Sequence, residues 1–520
     1  MRQKSRRPSH TVAAMIAATL FAKALGLVRS ALLARTLGDL PEAAAFAAAS
    51  SIPTAIFDIL FSAAITGAFI PAYSAARAES EECAKSFSRA FLGAGVTAAG
   101  IFALAGVLLA PAIIRACAPN MAGGTAALAV RLLRIMFPSA VFTAWAYTLA
   151  GLLQARGSFL LPAAVSALSN ACVAAYIYFS GARFSVYALA AVYVFSWLLQ
   201  LLTLALQLLY RNELPTPRLD LHNGHLLCAL RGVPKIAAGA WLAPAQTLAA
   251  AFFCSFVSEG AFAVYGYASA LYTVAAGVAV YGVGNHCFPA LAASFALGEH
   301  REFARRLEHA LFSALSLSAP VFAAAAALAP EVVALLFVRG NFTARAAEEC
   351  ALALRALAPA IPAHAVAEVL YRAFCAAKKP CRTALSALFS AVVLLAASSV
   401  SLIFGGGLFV VCAAVAASEW ARAAFLFLAA KKHLPAFCAK NTAVPVCGAA
   451  LCLVAMAFSG QIFPFFSLFS GSVAIFLKIT IVFTVGLVVY LLYILVYRAF
   501  ARKIGKEADG ILCRKKRKRL

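Results

Sequence analysis

Thr11 to Leu37 reads TVAAMIAATLFAKALGLVRSALLARTL, and its only charges are Lys23, Arg29 and Arg35. A helix crosses a bilayer with roughly 20 predominantly apolar residues, so this run is long enough to span one. The cations between Arg2 and Arg7 ahead of it give it the start of a signal peptide. The apolar centre of such a peptide is only about 7–15 residues long, and the run is read instead as a first, uncleaved transmembrane helix. Apolar stretches of similar length recur as far as Val496. They predict helices near 11–37, 43–74, 87–114, 124–153, 159–180, 184–210, 227–257, 260–293, 306–337, 346–376, 383–404, 408–430, 441–463 and 472–497. With 64% apolar and 12% charged residues over 520 positions, the expected fold class is all-α integral membrane, with about fourteen transmembrane helices.

The net charge is +25, which in a soluble protein would point to nucleic acid. The positions of the charges point to a membrane instead. Of the 44 Lys and Arg, 31 lie at the two termini or in and beside the even-numbered connections, whereas the odd-numbered connections hold only Arg115, Arg183, Arg339 and Arg345. Cytoplasmic loops carry such an excess, so both termini are expected in the cytoplasm and no nucleic-acid partner is expected. The fourteen Cys include no C-x-x-C pair; they read as small apolar helix residues rather than a zinc or redox site. No Walker loop, H-E-x-x-H or G-x-S-x-G occurs, so the chain is expected to be a transporter rather than an enzyme, without a cofactor. Its energy would come from an ion gradient, the membrane potential or consumption of cargo outside.

An internal repeat runs through the chain. Ala68-Phe69-Ile70-Pro71-Ala72 is answered by Cys287-Phe288-Pro289-Ala290, Ala110-Pro111 by Ala329-Pro330, and Arg134 with Pro138 by Arg355 with Pro359, at offsets of 218, 219 and 221 residues. About 220 residues hold six helices, an even number, so the copies are parallel and related by an axis along the membrane normal. This predicts an N-lobe at 1–210 and a cytoplasmic linker at 211–226 with Pro215 and Pro217. It also predicts a C-lobe at 227–432, two extra helices within 433–500, and a basic cytoplasmic tail at 501–520. The tail's run from Arg514 to Arg519 reads either as a hold on anionic lipid or as a solvated stop.

A charge at mid-membrane costs at least about 2.5–3.5 kcal/mol and normally faces a cavity or a partner. Lys23 and Arg29 lie on one helix, roughly 9 Å apart along its axis, with Gly26 between them to loosen it. They are the candidate anion-binding cations, and Asp58 is the candidate gate or ion pair facing them. Glu368 and Arg372, one turn apart, are weaker cavity candidates that also read as a mutually neutral pair. Arg131, Arg134, Arg355, Glu419, Arg422 and Lys478 are further candidates, several of them near expected helix ends where an interfacial reading is the better one; Arg35 lies near an end and reads as snorkelling, and no His is given a role.

The run from Lys23 through Arg29 and Ala34-Arg35 to Gly38 resembles the first helix of the MurJ (MviN) family. Ile52-Pro53 through Asp58 to Ala68-Phe69-Ile70-Pro71 is similar to its second helix. Gln154-Ala155-Arg156-Gly157-Ser158-Phe159 with Pro162 and Asn170 is similar to its connection between helices four and five. Phe288-Pro289-Ala290-Leu291 and Leu336 to Thr343 resemble parts of its second lobe. The resemblance runs from about residue 10 to 500 and implies a MOP/MATE-like fold in the bacterial inner membrane. It implies a flippase for lipid II, the undecaprenyl-pyrophosphate-linked peptidoglycan precursor, with the last two helices forming a groove for the lipid tail. Membrane lipids and cell-wall synthesis proteins are the other partners it implies. Against that pattern, Lys23 stands where Arg is common, Phe57 and Asp58 where many members carry two arginines, Ala270 where a prominent arginine stands, and Glu368 where a lysine does. The cavity is thus less cationic than the family's. Export of another amphiphile or a lipid-linked oligosaccharide, and a transport-dead cell-wall scaffold, are the alternatives.

Overall fold

A computed structural model describes residues 8–53, 61, 65–231, 242–279, 283, 285–403, 405–435, 437, 443–462 and 472–517. The described residues are helical almost throughout, as a chain that must satisfy its backbone within lipid requires. Among the described residues, nine helices are long and apolar enough to cross a membrane, and eleven spans result when two bent pairs are each counted once. The three remaining predicted spans, 43–74, 227–257 and 260–293, each contain residues outside the described set. The chain is a multi-pass membrane protein. Its last helix, Ser472–Arg517, continues well past the predicted end at 497, because the Lys, Arg, Glu and Ala beyond the span are themselves good helix formers.

The bent pairs are the internal repeat made visible. Gly123–Met136 meets Ser139–Ala155 at 42°, and Ala344–Leu357 meets Ala360–Ala376 at 41°. Pro138 and Pro359 occupy the two bends, each as the N-cap of the helix that follows. A second pair of prolines explains two of the membrane arginines. Pro111 has no N–H, so it leaves the Val107 carbonyl four residues back without its helical partner. Arg134 Nε donates to that oxygen at 3.2 Å. In the other copy Pro330 frees the Ala326 carbonyl, and Arg355 Nε donates to it, also at 3.2 Å. Replacing Arg134 or Arg355 with Leu is expected to lower stability by about 1 kcal/mol, the usual worth of such a bond. A thermal midpoint that does not fall in either purified variant would refute this role.

Contacts group the chain into two compact units: Met1–Leu271 with Leu336–Ala353 and Ala387–Ser418, and Tyr272–Leu335 with Leu354–Ser386 and Glu419–Leu520. In the first, Phe69, Tyr73, Phe87, Leu149 and Leu153 are fully buried or nearly so around the Ser139–Ala155 helix. In the second, Phe303, Leu307, Leu370 and Phe374 fill the matching role around Ala360–Ala376. Leu149 and Leu153 are answered by Leu370 and Phe374 at the same offset as the prolines. The Ala443–Ile462 and Ser472–Arg517 helices pack on each other and on His300–Ala327. Gly448 and Gly486 allow their close approach: a methyl group on Gly486 would lie 2.4 Å from Met456, and one on Gly448 2.8 Å from Tyr490. Small residues make such contacts possible where lipid supplies no hydrophobic drive.

Candidate functional site

The first helix runs unbroken from Pro8 to Leu37, so Gly26 does not loosen it. Gly26 instead makes room for a neighbour. Asn170 Nδ2 donates to the Ala22 carbonyl at 3.0 Å, and a methyl group at Gly26 would touch Asn170 at 3.4 Å. The Leu160–Ser180 helix is thereby held along the first helix.

Between these two helices and their neighbours in the first unit lies a cavity of about 580 Å³, within the range of ligand sites. Arg29 is its one charged lining residue among those described. Arg29 Nε is buried and has no hydrogen-bond partner among the described residues, and Tyr193 lies beside the guanidinium. Neutral polar groups, among them Ser166, Ser169 and Asn170 from one helical face with Gln154, Gln200 and Tyr267, share the rest of the lining with apolar side chains such as Leu33, Phe46 and Val173. The Ser/Asn spacing at i, i+3 and i+4 on an apolar helix was the available sequence signal for this lining. Ala270 also lines the cavity and contributes only a methyl group there.

Of the predicted site residues, Arg29 lines this cavity. Lys23 lies further back on the same helix and is not part of the lining. Asp58 lies outside the described residues. In the second unit, Arg372 Nε donates to Glu368 Oε1 at 3.0 Å, so these two form a local ion pair. Further charged groupings occur there among the described residues. Lys478 Nζ lies 2.6 Å from Glu331 Oε1, and Glu419 faces both His364 and Arg422.

At one end of the first unit the turn at 339–343 caps the first helix. The carbonyls in the last turn of a helix lack partners within it. The Asn341 backbone N–H takes the Arg35 carbonyl at 3.0 Å, and Asn341 Nδ2 takes that of Thr36 at 2.7 Å. Thr343 Oγ1 donates to Asp39 Oδ2 at 3.0 Å, and Tyr267 Oη donates to the Gly38 carbonyl at 3.2 Å. Gly38 and Gly340 adopt φ of +55° and +65°, and the backbones approach so closely that a Cβ on Gly38 would lie 2.1 Å from the Asn341 oxygen. A second polar tie involves Arg156, just beyond Ser139–Ala155. It donates to Tyr73 Oη at 2.8 Å and to Glu81 at 2.6 Å, and it pairs with Glu213 of the segment after Tyr210.

Residues 33–500 match the family model described as lipid II flippase MurJ. A probable lipid II flippase MurJ of Bdellovibrio bacteriovorus is 27% identical over 348 residues, 66% of this chain and 66% of that protein. The lipid II flippase MurJ of Burkholderia cenocepacia is 26% identical over 346 residues, 65% of this chain and 67% of that protein. The chain spans 64–66% of the length of the first curated relatives it matches. Among solved structures, a lipid II flippase MurJ in an inward closed conformation superposes with a TM-score of 0.80 at 18% identity, covering 94% of this chain and 99% of that one. An inward-facing multidrug resistance MATE family transporter of the MOP superfamily gives 0.70 at 15% identity, covering 80% and 94%. At these identities the structural likeness is one of fold.

Proposed function

We propose, for a chain that belongs to the lipid II flippase MurJ family, that it moves lipid II from the inner to the outer leaflet of the bacterial inner membrane. The cavity around Arg29 receives the pyrophosphate. The observation that carries this reading is the buried Arg29 Nε without a partner among the described residues, set among neutral hydrogen-bonding groups. A guanidinium forks onto phosphate oxygens, and the serines, Asn170 and the glutamines supply further polar contacts without fixing the site's charge. Lys23 adds a second cation on the same helix, and Asp58 competes for these cations when no cargo is bound. Glu368 and Arg372 stay paired with each other in the resting state. The lobes 1–210 and 227–432 alternate access around this site, and the helices of 433–500 guide the lipid tail. Complementation of cells depleted of their essential lipid II flippase is the test. A chain that inserts in normal amounts and fails to restore wall synthesis would remove lipid II as cargo. That outcome would favour export of another amphiphile, the reading to which Ala270 in the cavity wall lends support.

In this reading both termini are cytoplasmic. The capped end at Gly38 and Asn341 faces outward, and the Arg156 tie faces the cytoplasm. Cys513 and Cys438 are then expected to resist a membrane-impermeant thiol reagent in intact cells and to react after lysis, while Cys117 lies at the outer face. Cys438 lies outside the described residues. Rapid labelling of Cys513 before lysis would contradict the orientation.

A further inference from the structure

The Leu408–His433 helix places Glu419 twelfth among its 26 residues, near the depth at which a charge in a membrane is most costly. Its carboxylate is 13% exposed, and its Oε2 lies 3.4 Å from His364 Nδ1 and 3.7 Å from Arg422 Nη1. Arg422 Nε is buried without a hydrogen-bond partner among the described residues, and the Tyr272 phenol lies close to both Glu419 and Arg422. The grouping joins three helices of the second unit and is separate from the residues lining the Arg29 cavity. None of the motifs that carry the family resemblance includes it.

The arithmetic of charge makes His364 the variable member. Arg422 is always protonated, and with an ionised Glu419 beside it the pair carries no net charge. A neutral His364 leaves the cluster at zero and a protonated one leaves it at +1. With Nδ1–H donating to Glu419, a proton binds at Nε2, and no other bond forms or breaks. Other ionisable groups lie on the elements around the cluster. On the Ala360–Ala376 helix, Glu368 and Arg372 pair together and Tyr371 faces Arg422. The Asn285–Ala296 and His300–Ala327 helices also pack on it. Cys287 of the former faces Arg372 and Glu368, and Glu302 of the latter pairs with Arg305 and Arg306.

We propose that His364, held by Glu419 beside Arg422, is a proton-binding site whose occupancy is coupled to translocation. The coupling rests on the flippase reading of the Arg29 cavity; the proton site itself does not. His is the side chain whose charge changes between about pH 5 and 8. Ionisable His and carboxylate groups within spans commonly serve proton relays.

The test is a histidine titration of the full chain in nanodiscs, followed by 15N NMR, with the His364 resonance identified by its loss in His364→Gln. The His364 resonance is expected to report proton binding between about pH 5 and 8, the range of the side chain type, with a midpoint that changes in Glu419→Gln. A His364 that does not titrate in that window, or a midpoint indifferent to Glu419→Gln, overturns the site. In proteoliposomes an imposed pH gradient is expected to change the wild-type rate of lipid II flipping several-fold and to have no effect in His364→Gln. Wild-type flipping indifferent to the gradient overturns the coupling and leaves the flippase reading intact. If the wild type moves no lipid II, the flippase reading and the coupling fall together, and the titration alone decides the proton site.

Discussion

Arg29→Ala is expected to abolish complementation of flippase-depleted cells while the protein remains inserted and abundant. Arg29 is the one charged lining residue described in the cavity, so no second cation on that wall takes over its role. A unit charge about 4 Å from a phosphate is worth roughly 4 kcal/mol at an effective dielectric constant near 20, and each 1.4 kcal/mol is tenfold in affinity. Cargo affinity is therefore expected to fall about a thousandfold. Arg29→Lys keeps the charge and loses the fork, so partial activity is expected from it. Lys23→Ala is expected to reduce activity severely, and Lys23→Arg, which restores the commoner family residue, to be tolerated. Normal wall synthesis from Arg29→Ala at wild-type protein level would remove the cavity assignment. Loss of activity accompanied by loss of protein would say nothing of the cavity, so membrane abundance is measured in the same cells.

The contrast between Arg29 and Lys23 shows where the sequence was readable. The eleven spans found among the described residues follow from composition and length, because lipid demands long apolar helices whatever the cargo. The repeat was readable because prolines act locally: Pro111 and Pro330 free a carbonyl, and Pro138 and Pro359 sit in bends of 42° and 41°. The site was only half readable. Two cations six residues apart were set on one axis, but in an unbroken helix six residues also turn about 120° away from a whole number of turns. Arg29 and Lys23 therefore point to different sides, and only one of them lines the cavity. The neutral lining carries no charge signature and is assembled from helices distant in sequence, so no local pattern announced it. Glu419 and Arg422 stood only as further candidates without a partner, and His364 as scattered, because their partnership depends on helices far apart in the chain. The capping of Arg35 and Thr36 by Asn341 was hidden for the same reason, since it joins residues some 300 positions apart.

Gly340→Ala, and Gly38→Ala independently, are expected to break the closed end of the first unit and leave the protein folded but open there. Both glycines hold a left-handed backbone, which costs a residue bearing a Cβ about 1–2 kcal/mol. Neither has space for that carbon: a Cβ on Gly340 would lie 2.3 Å from the Arg35 carbonyl oxygen, and one on Gly38 2.1 Å from that of Asn341. The obstacle in each case is backbone, which no rotamer change moves aside. Separation of the two segments breaks the pair of bonds from Asn341 to the first helix, at about 1 kcal/mol each. The sum, about 3–4 kcal/mol, moves a two-state equilibrium by a factor of several hundred. If the closed end is one of two alternating states, the open state then dominates. A single cysteine placed at Ala43, which lines the cavity and is 3% exposed, is expected to react slowly with an impermeant thiol reagent in the otherwise unchanged protein. It is expected to react at least tenfold faster beside Gly340→Ala. A cysteine at Gly260, close to Asp39, is expected to respond in the same direction. Flipping is expected to fall in both glycine variants, because a carrier that cannot close its outer end cannot return to load. Fast wall synthesis together with unchanged labelling at both positions would mean that the closed end is a fixed seam of the fold and plays no part as a gate.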